Sequence, residues 1–121
     1  MAFEVSLQTV SVPASADLST KQFLFGTINA SGQVAVTGAG LASDGVIALG
    51  PSAQARPCAL ASFPGQIARV MAGASFANGA LLEADANGKA ITQSSGKILA
   101  KALAAAGAAG DIVPVLLILQ R

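Results

Sequence analysis

Two short segments hold the residues whose types and spacing come closest to a catalytic pattern. The first, Ser94-Ser95-Gly96-Lys97, has the S-x-x-K spacing of the serine–lysine nucleophile of penicillin-binding enzymes. Those enzymes also need S-D-N and K-T-G motifs and a large two-part fold, and the sequence contains neither motif. We therefore interpret the segment as a polar turn before the next element.

The second segment, residues 83–88, is similar to the opening of a calcium loop, in which alternate oxygen atoms face the ion. Its first position holds Glu83 instead of Asp, and the closing acidic position falls on Ser94. Glu83 and Asp85 could also form an acid–base pair, but no other residue indicates a cleft around them. We interpret the segment as a hairpin turn whose charges are exposed.

Phosphate, thiol and metal chemistry are also poorly represented. Gly38-Ala39-Gly40 begins a G-x-G-x-x-G pattern, but Ser43 stands where the last glycine belongs. Cys58 is the single cysteine, and because the chain has no histidine to activate it, we interpret it as a small buried hydrophobe. We predict a protein that is not an enzyme, with no catalytic residue, no cofactor and no metal.

The composition excludes several further classes of function. The chain has 121 residues, of which 53% are hydrophobic and 11% charged, so it is predicted to fold as one domain. Its net charge of +1 and its lack of Trp and Tyr argue against a nucleic-acid partner. Since few charges are available to cover the surface of so small a domain, we expect a homo-oligomer.

The start of the chain lacks the basic and apolar regions of a signal peptide, which predicts synthesis in a cytosol-like compartment. Residues 22–43 carry no charge over a length that could span a membrane. Because glycine and polar residues interrupt this stretch, we interpret it as two strands and a turn, and we predict no membrane partner.

Most of the chain alternates short apolar runs with Gly- or Pro-containing turns, which is typical of an all-β domain. Two of the turns are alike: residues 29–32 read Asn-Ala-Ser-Gly and residues 85–88 read Asp-Ala-Asn-Gly, 56 positions later. We interpret them as two similar hairpins of one domain, not as a repeat array. The predicted fold is mainly β, a small single-domain β-barrel or β-sandwich-like fold with at most one short helix near residues 97–106. Further strands are predicted at residues 2–12, 22–28, 33–37, 45–49, 55–61, 66–71 and 111–120.

Two segments near the end leave alternatives open. Residues 97–106 consist of good helix formers stopped by Gly107, which favours a helix, although a strand over the first half is the competing interpretation. In the last strand, Pro114 cannot donate to a ladder, so we expect an edge position or a bulge there.

The order of these elements resembles the small capsid decoration proteins, also called head-stabilising or cement proteins, of tailed bacteriophages. The likeness extends over nearly the whole chain. It is carried by residues 16–19, the strand through Phe25, the turn at Gly32, and residues 34–36, 42–46, 70–74, 79–82, 85–90 and 105–117.

The resemblance implies a virion protein that binds the outside of an assembled phage head. It implies a homotrimer that clamps neighbouring capsomers, with the major capsid protein as its partner and the host cytoplasm as its place of synthesis. Residues 1–16 would form an N-terminal arm or strand and residues 17–121 the β-rich decoration domain. Phe3, Val5 and Leu7 would anchor the arm on the capsid; alternatively, they complete the domain's own sheet.

Two other functions fit the same composition. One is a virion component of lower copy number, such as a head-fibre base or a tail accessory protein. The other is a β-domain that binds a small ligand or a glycan, although sugar binding usually uses the Trp and Tyr side chains that this chain lacks.

Overall fold

Short β-strands make up the regular structure of the described part of the chain. The computed structural model describes residues 9–50 and 53–121, and within these ranges it contains ten strands and no helix. The strands are β1 (Thr9–Pro13), β2 (Phe25–Ile28), β3 (Val34–Val36), β4 (Gly45–Leu49), β5 (Pro57–Ala61), β6 (Ile67–Met71), β7 (Leu81–Ala84), β8 (Ala90–Thr92), β9 (Ala100–Ala102) and β10 (Ile112–Leu117).

The strands form two five-stranded antiparallel sheets with the same topology. The first sheet has the order β1-β5-β4-β2-β3, and the second has the order β6-β10-β9-β7-β8. Strands β6 to β10 thus take the same places in the second sheet as β1 to β5 take in the first. We call residues at equivalent positions of the two sheets counterparts. We call residues 9–61 the first half and residues 67–121 the second half.

The correspondence between the halves extends to hydrogen bonds in the turns. The Oδ1 atom of Asn29 accepts hydrogen bonds from the backbone amides of Ser31 and Gln33, two and four residues further on, each at 3.0 Å. The Oδ1 atom of Asp85 accepts the equivalent amides at 2.8 and 2.9 Å. Gly32 and Gly88 supply the positive φ that each turn requires, 74° and 77°. The two predicted hairpins are confirmed as β2–β3 and β7–β8.

Each sheet curls, so that its two edge strands approach each other at one point. A single parallel bridge joins Ala14, after β1, to Val34 of β3, and another joins Ala72, after β6, to Ala90 of β8. The edges are not paired along their length, so neither sheet closes into a barrel, and the domain is sandwich-like. The predicted all-β, single-domain fold is confirmed.

Two hydrophobic clusters fill the interior. The cluster of the first half includes Val34, Ile47, Cys58 and Leu60. The larger cluster contains the inward-facing residues of the second half and also three residues of the first, Phe25, Val46 and Ala61. The two halves therefore share a core at their junction.

Of the two interpretations left open for residues 97–106, the helix is wrong, since the regular structure described there is strand β9 (Ala100–Ala102). Ala100 and Ala102 are buried and Lys101 is exposed, because β9 pairs with β10 on one side and β7 on the other. Tertiary pairing here overrides the helix propensity of the alanines.

Neither the edge position nor the bulge expected at Pro114 is found, because β10 lies between β6 and β9 and its pairings run through without a register shift. The proline is nevertheless placed where it interrupts little. Pairing of β10 with β9 ends at Val115, one residue later, so the missing amide faces the point at which β9 has already ended.

The uncharged stretch at residues 22–43 contains β2, a turn and β3, as predicted. Among the residues that the structure describes, there is no helix of the length and hydropathy needed to cross a membrane.

Candidate interaction surface

The two carboxylates of residues 83–88 have structural roles. Glu83 is buried, with 6% of its surface exposed, so the predicted exposure of this charge is wrong. Its Oε1 atom accepts hydrogen bonds from the backbone amide and the hydroxyl of Ser94, each at 3.0 Å. The Oδ1 atom of Asp85 accepts hydrogen bonds from two backbone amides of its own turn. These contacts fix the β7–β8 hairpin to the following loop.

The Ser94 hydroxyl and the Cys58 thiol, the other candidate groups, are also held within the fold. The S-x-x-K segment bends between β8 and β9, in agreement with its interpretation as a polar turn, and its Ser94 hydroxyl donates to Glu83. Cys58 is fully buried, and desolvation raises the pKa of its thiol. Over residues 9–50 and 53–121, no group of three metal-ligating side chains could hold an ion.

The predicted anchor residues Phe3, Val5 and Leu7 lie outside the described residues. The chain is described from Thr9 onward, where β1 pairs with β5 at the edge of the first sheet.

One apolar cleft of about 210 Å³ lies where the halves meet. Its walls come from β4, β5 and β6, with Phe23 and Gln22 at one side and Arg69 as its charged residue. The Gln22 amide already donates to the Ala48 carbonyl at 2.9 Å. The cleft is therefore mainly a packing space, with little polar chemistry to orient a ligand.

The outer face of the first sheet is buried by the second half. One row of register-paired residues runs across this sheet through Phe25, Val46 and Ala61. All three are at most 2% exposed and belong to the shared core. The amide of Phe25 also donates to the carbonyl of Gly88, at the β7–β8 turn, at 2.9 Å.

The outer face of the second sheet has the same row but no cover among the described residues. The register pairs Leu81 with Lys101, Lys101 with Leu116, and Leu116 with Ile67. Leu81 is 40% exposed, Lys101 is exposed, and the other two are half-buried. This row, Leu81–Lys101–Leu116–Ile67, is the candidate interaction surface.

This surface was not predicted from the sequence. A signal was present in residues 112–119, which are apolar at every position. Such a run is typical of a strand covered on both faces, whereas a strand with one solvated face alternates apolar and polar residues. The structure covers one face of β10, and leaves Leu116 only half-buried on the other.

Comparison with known proteins gives one informative likeness. No protein-family model matches the sequence, and no curated protein matches it. Among solved structures, the fold is similar to the crystal structure of the head fiber gp8.5 N base in bacteriophage phi29. The TM-score is 0.72 at 16% sequence identity, and the match covers 94% of this chain and 98% of that chain. At this identity the likeness shows a shared fold.

Proposed function

We propose that this chain is a structural protein of a bacteriophage particle, located on the outside of the head, where it forms the base of a fibre. The observation that carries the proposal is the backbone likeness to a head-fibre base over nearly the full length of both chains.

The chemistry of the described residues supports a structural role. The buried carboxylate, the turn serines and the single thiol are all used to hold the fold together. The surface instead presents apolar area on the second sheet, at Leu81, Leu116 and Ile67. A fibre base needs such area, because it must hold both the shell and its own copies without performing a reaction.

The capsid clamp implied by the resemblance to decoration proteins is the second candidate. It is favoured by three further exposed apolar side chains, Leu49, Phe63 and Ile112, at 66%, 42% and 45% exposure. These could contact a major capsid protein around its capsomers, with Phe3, Val5 and Leu7 as a further anchor. Many weak contacts of this kind would add up over a shell.

Quantitative gel densitometry of purified particles separates these functions. A fibre base is expected at a few per cent of the copies of the major shell protein, with immunogold label at the roots of head fibres. A band close to one copy per shell subunit, with label over the whole head, would identify the clamp instead. Absence of the band from purified particles would overturn both and would favour a ligand-binding domain.

A further inference from the structure

The junction between the two halves is head-to-tail, since each half contributes a different surface to it. The first half contributes its outer face at Phe25, and the second half contributes its turn at Gly88. The counterparts of these surfaces are the outer face at Leu81 and the turn at Gly32, which are both exposed. No hydrogen bond joins Leu81 to Gly32 within the described chain. A contact of this type leaves one unused surface of each kind.

We propose that a second copy of this chain places its Gly32 turn on the outer face of the second sheet, repeating between chains the contact that the halves make within one. The amide of Leu81 then donates to the carbonyl of Gly32 in the next copy, as Phe25 donates to Gly88. In this contact between copies the Gly32 turn packs against Thr92, just as the Gly88 turn packs against Val36 within the chain. In the existing contact, a Cβ built on Gly88 would lie 2.5 Å from Val36 Cγ1, so the packing there is close.

A second part of the junction, at Gly40, also leads to the prediction that a second copy docks here. The amide of Gly40 donates to the Ala84 carbonyl at 2.9 Å, and its carbonyl accepts from the Lys97 amide at 3.0 Å. The first-half counterparts of Ala84 and Lys97 are Ile28 and Leu41, which are 37% and 60% exposed. Docking of a second copy covers both of these apolar side chains as well as the outer face.

The charges are compatible with this contact. Within the chain, Arg69 lies beside Val46 at the junction. Between chains, the counterpart of Val46 is Lys101, and the counterpart of Arg69 is Ser11, an exposed residue of β1. The ammonium group of Lys101 therefore meets a hydroxyl instead of a guanidinium, and no pair of like charges is buried.

The junction also indicates which loops successive copies would bring together. Gly40 and Gly96 are counterparts, and they touch each other: a Cβ built on Gly96 would lie 2.5 Å from the Cα of Gly40. Residues that contact their own counterparts lie near the axis that relates the two halves. Repeating the same contact between chains therefore brings the corresponding loops of successive copies together, and the chains associate head to tail.

Cysteine cross-linking tests the contact directly on the purified full-length chain. A Ser31→Cys chain and a Thr92→Cys chain are co-expressed, purified together and treated with a short bis-maleimide. The head-to-tail contact predicts a band of twice the chain mass from the mixture and none from either variant alone. The matched positive control is Asn87→Cys combined with Val36→Cys in one chain, the existing counterpart of this pair, which should link within the chain.

Three outcomes would overturn the proposal. A cross-link between two copies of the Ser31→Cys variant, or between two copies of the Thr92→Cys variant, would mean that copies meet through identical surfaces. Failure of the mixed pair to link, while the control pair links, would mean that the turn does not reach the face. A monomeric mass in sedimentation equilibrium at high protein concentration would exclude any self-contact.

A second pair of variants tests the face without cysteines. Leu81→Asp is expected to weaken self-association at least tenfold. Ile112 lies on the same sheet and is exposed to a similar extent, but its counterpart Pro57 is exposed and is not part of the shared core. The control substitution Ile112→Asp should therefore change the association constant less than twofold. Equal effects of the two substitutions would contradict the proposal. These measurements use the isolated chain, so their outcome is independent of whether the protein is found on phage particles.

Discussion

The two sheets have the same strand order and the same register, yet their outer faces have different environments. In the first sheet the row through Phe25, Val46 and Ala61 is part of the core. In the second sheet the corresponding row through Leu81 and Lys101 meets solvent. The difference arises from position in the chain: the first sheet has a following half to cover it, and the second has none within the described residues.

This comparison shows that the same strand pattern can serve as core or as interface, depending on what packs against it. It also separates two contributions of apolar area. Residues of the covered face stabilise the single chain, whereas residues of the open face contribute chiefly when a partner covers them. Substitutions at counterpart positions should therefore differ in their effect, although the local backbone is the same.

The largest difference is expected between Phe25 and Leu81. Phe25→Ala removes a fully buried ring from the shared core and should lower the free energy of unfolding by about 3–5 kcal/mol. Leu81→Ala should lower it by less than about 1 kcal/mol, because that side chain is 40% exposed and leaves no closed cavity. Urea denaturation of each variant gives both values.

The measurement should be made at low protein concentration, where association does not add to stability. Raising the concentration should then stabilise the wild-type chain more than Leu81→Ala. Equal losses for the two alanine variants in the dilute chain would mean that the second sheet is covered within one chain, and the comparison would fail.

The two turn glycines give a smaller contrast. Alanine at either position is strained by the positive φ and should cost about 1 kcal/mol. At Gly88 the new methyl group would also collide with Val36, which should add about 1–3 kcal/mol; at Gly32 nothing lies within 4 Å. Thermal unfolding of the two variants should therefore place Gly88→Ala well below Gly32→Ala, and similar melting temperatures would contradict the asymmetry of the junction.

The sequence was sufficient to predict the sheets but not which faces they bury. Short apolar runs between turns and the Asn-Ala-Ser-Gly and Asp-Ala-Asn-Gly segments identified the hairpins, since turn chemistry is local. The rest of the duplication was missed because counterparts such as Phe25 and Leu81, or Val46 and Lys101, share a register and not a residue type. Burial of a face depends on what packs on it, and no local pattern carries that information.

The burial of Glu83 shows the same limit. Its charge suggested solvent, but in the fold two donors from Ser94 satisfy one oxygen, and the position is the counterpart of Thr27, whose hydroxyl lies 2.7 Å from that of Thr37. Both halves thus place a polar pair between the hairpin and the next loop. The residue types differ, so the equivalence is visible only in the structure.

Glu83→Gln should weaken the second of these pairs. The amide keeps the shape of the side chain and one acceptor, but it loses the charge that strengthens both bonds from Ser94, at a cost of about 1.5–3 kcal/mol. Amide exchange measured by NMR should show faster exchange in residues 94–97, with strands of the first sheet unchanged. Unaltered exchange at Ser94 would mean that the carboxylate does not hold this loop.

The smallest difference between counterpart positions is expected at Cys58, whose counterpart in the second half is Val113. Both side chains lie on the inner faces of matching strands and both are buried, which indicates that this position requires a small apolar group and no thiol chemistry. Cys58→Val should therefore change the free energy of unfolding by less than about 1.5 kcal/mol. In the wild-type chain, burial raises the thiol pKa and keeps the group neutral, so a disulfide reagent at neutral pH should react no faster than the protein opens. Rapid labelling of the native chain would show that the cluster of the first half opens independently of the second half.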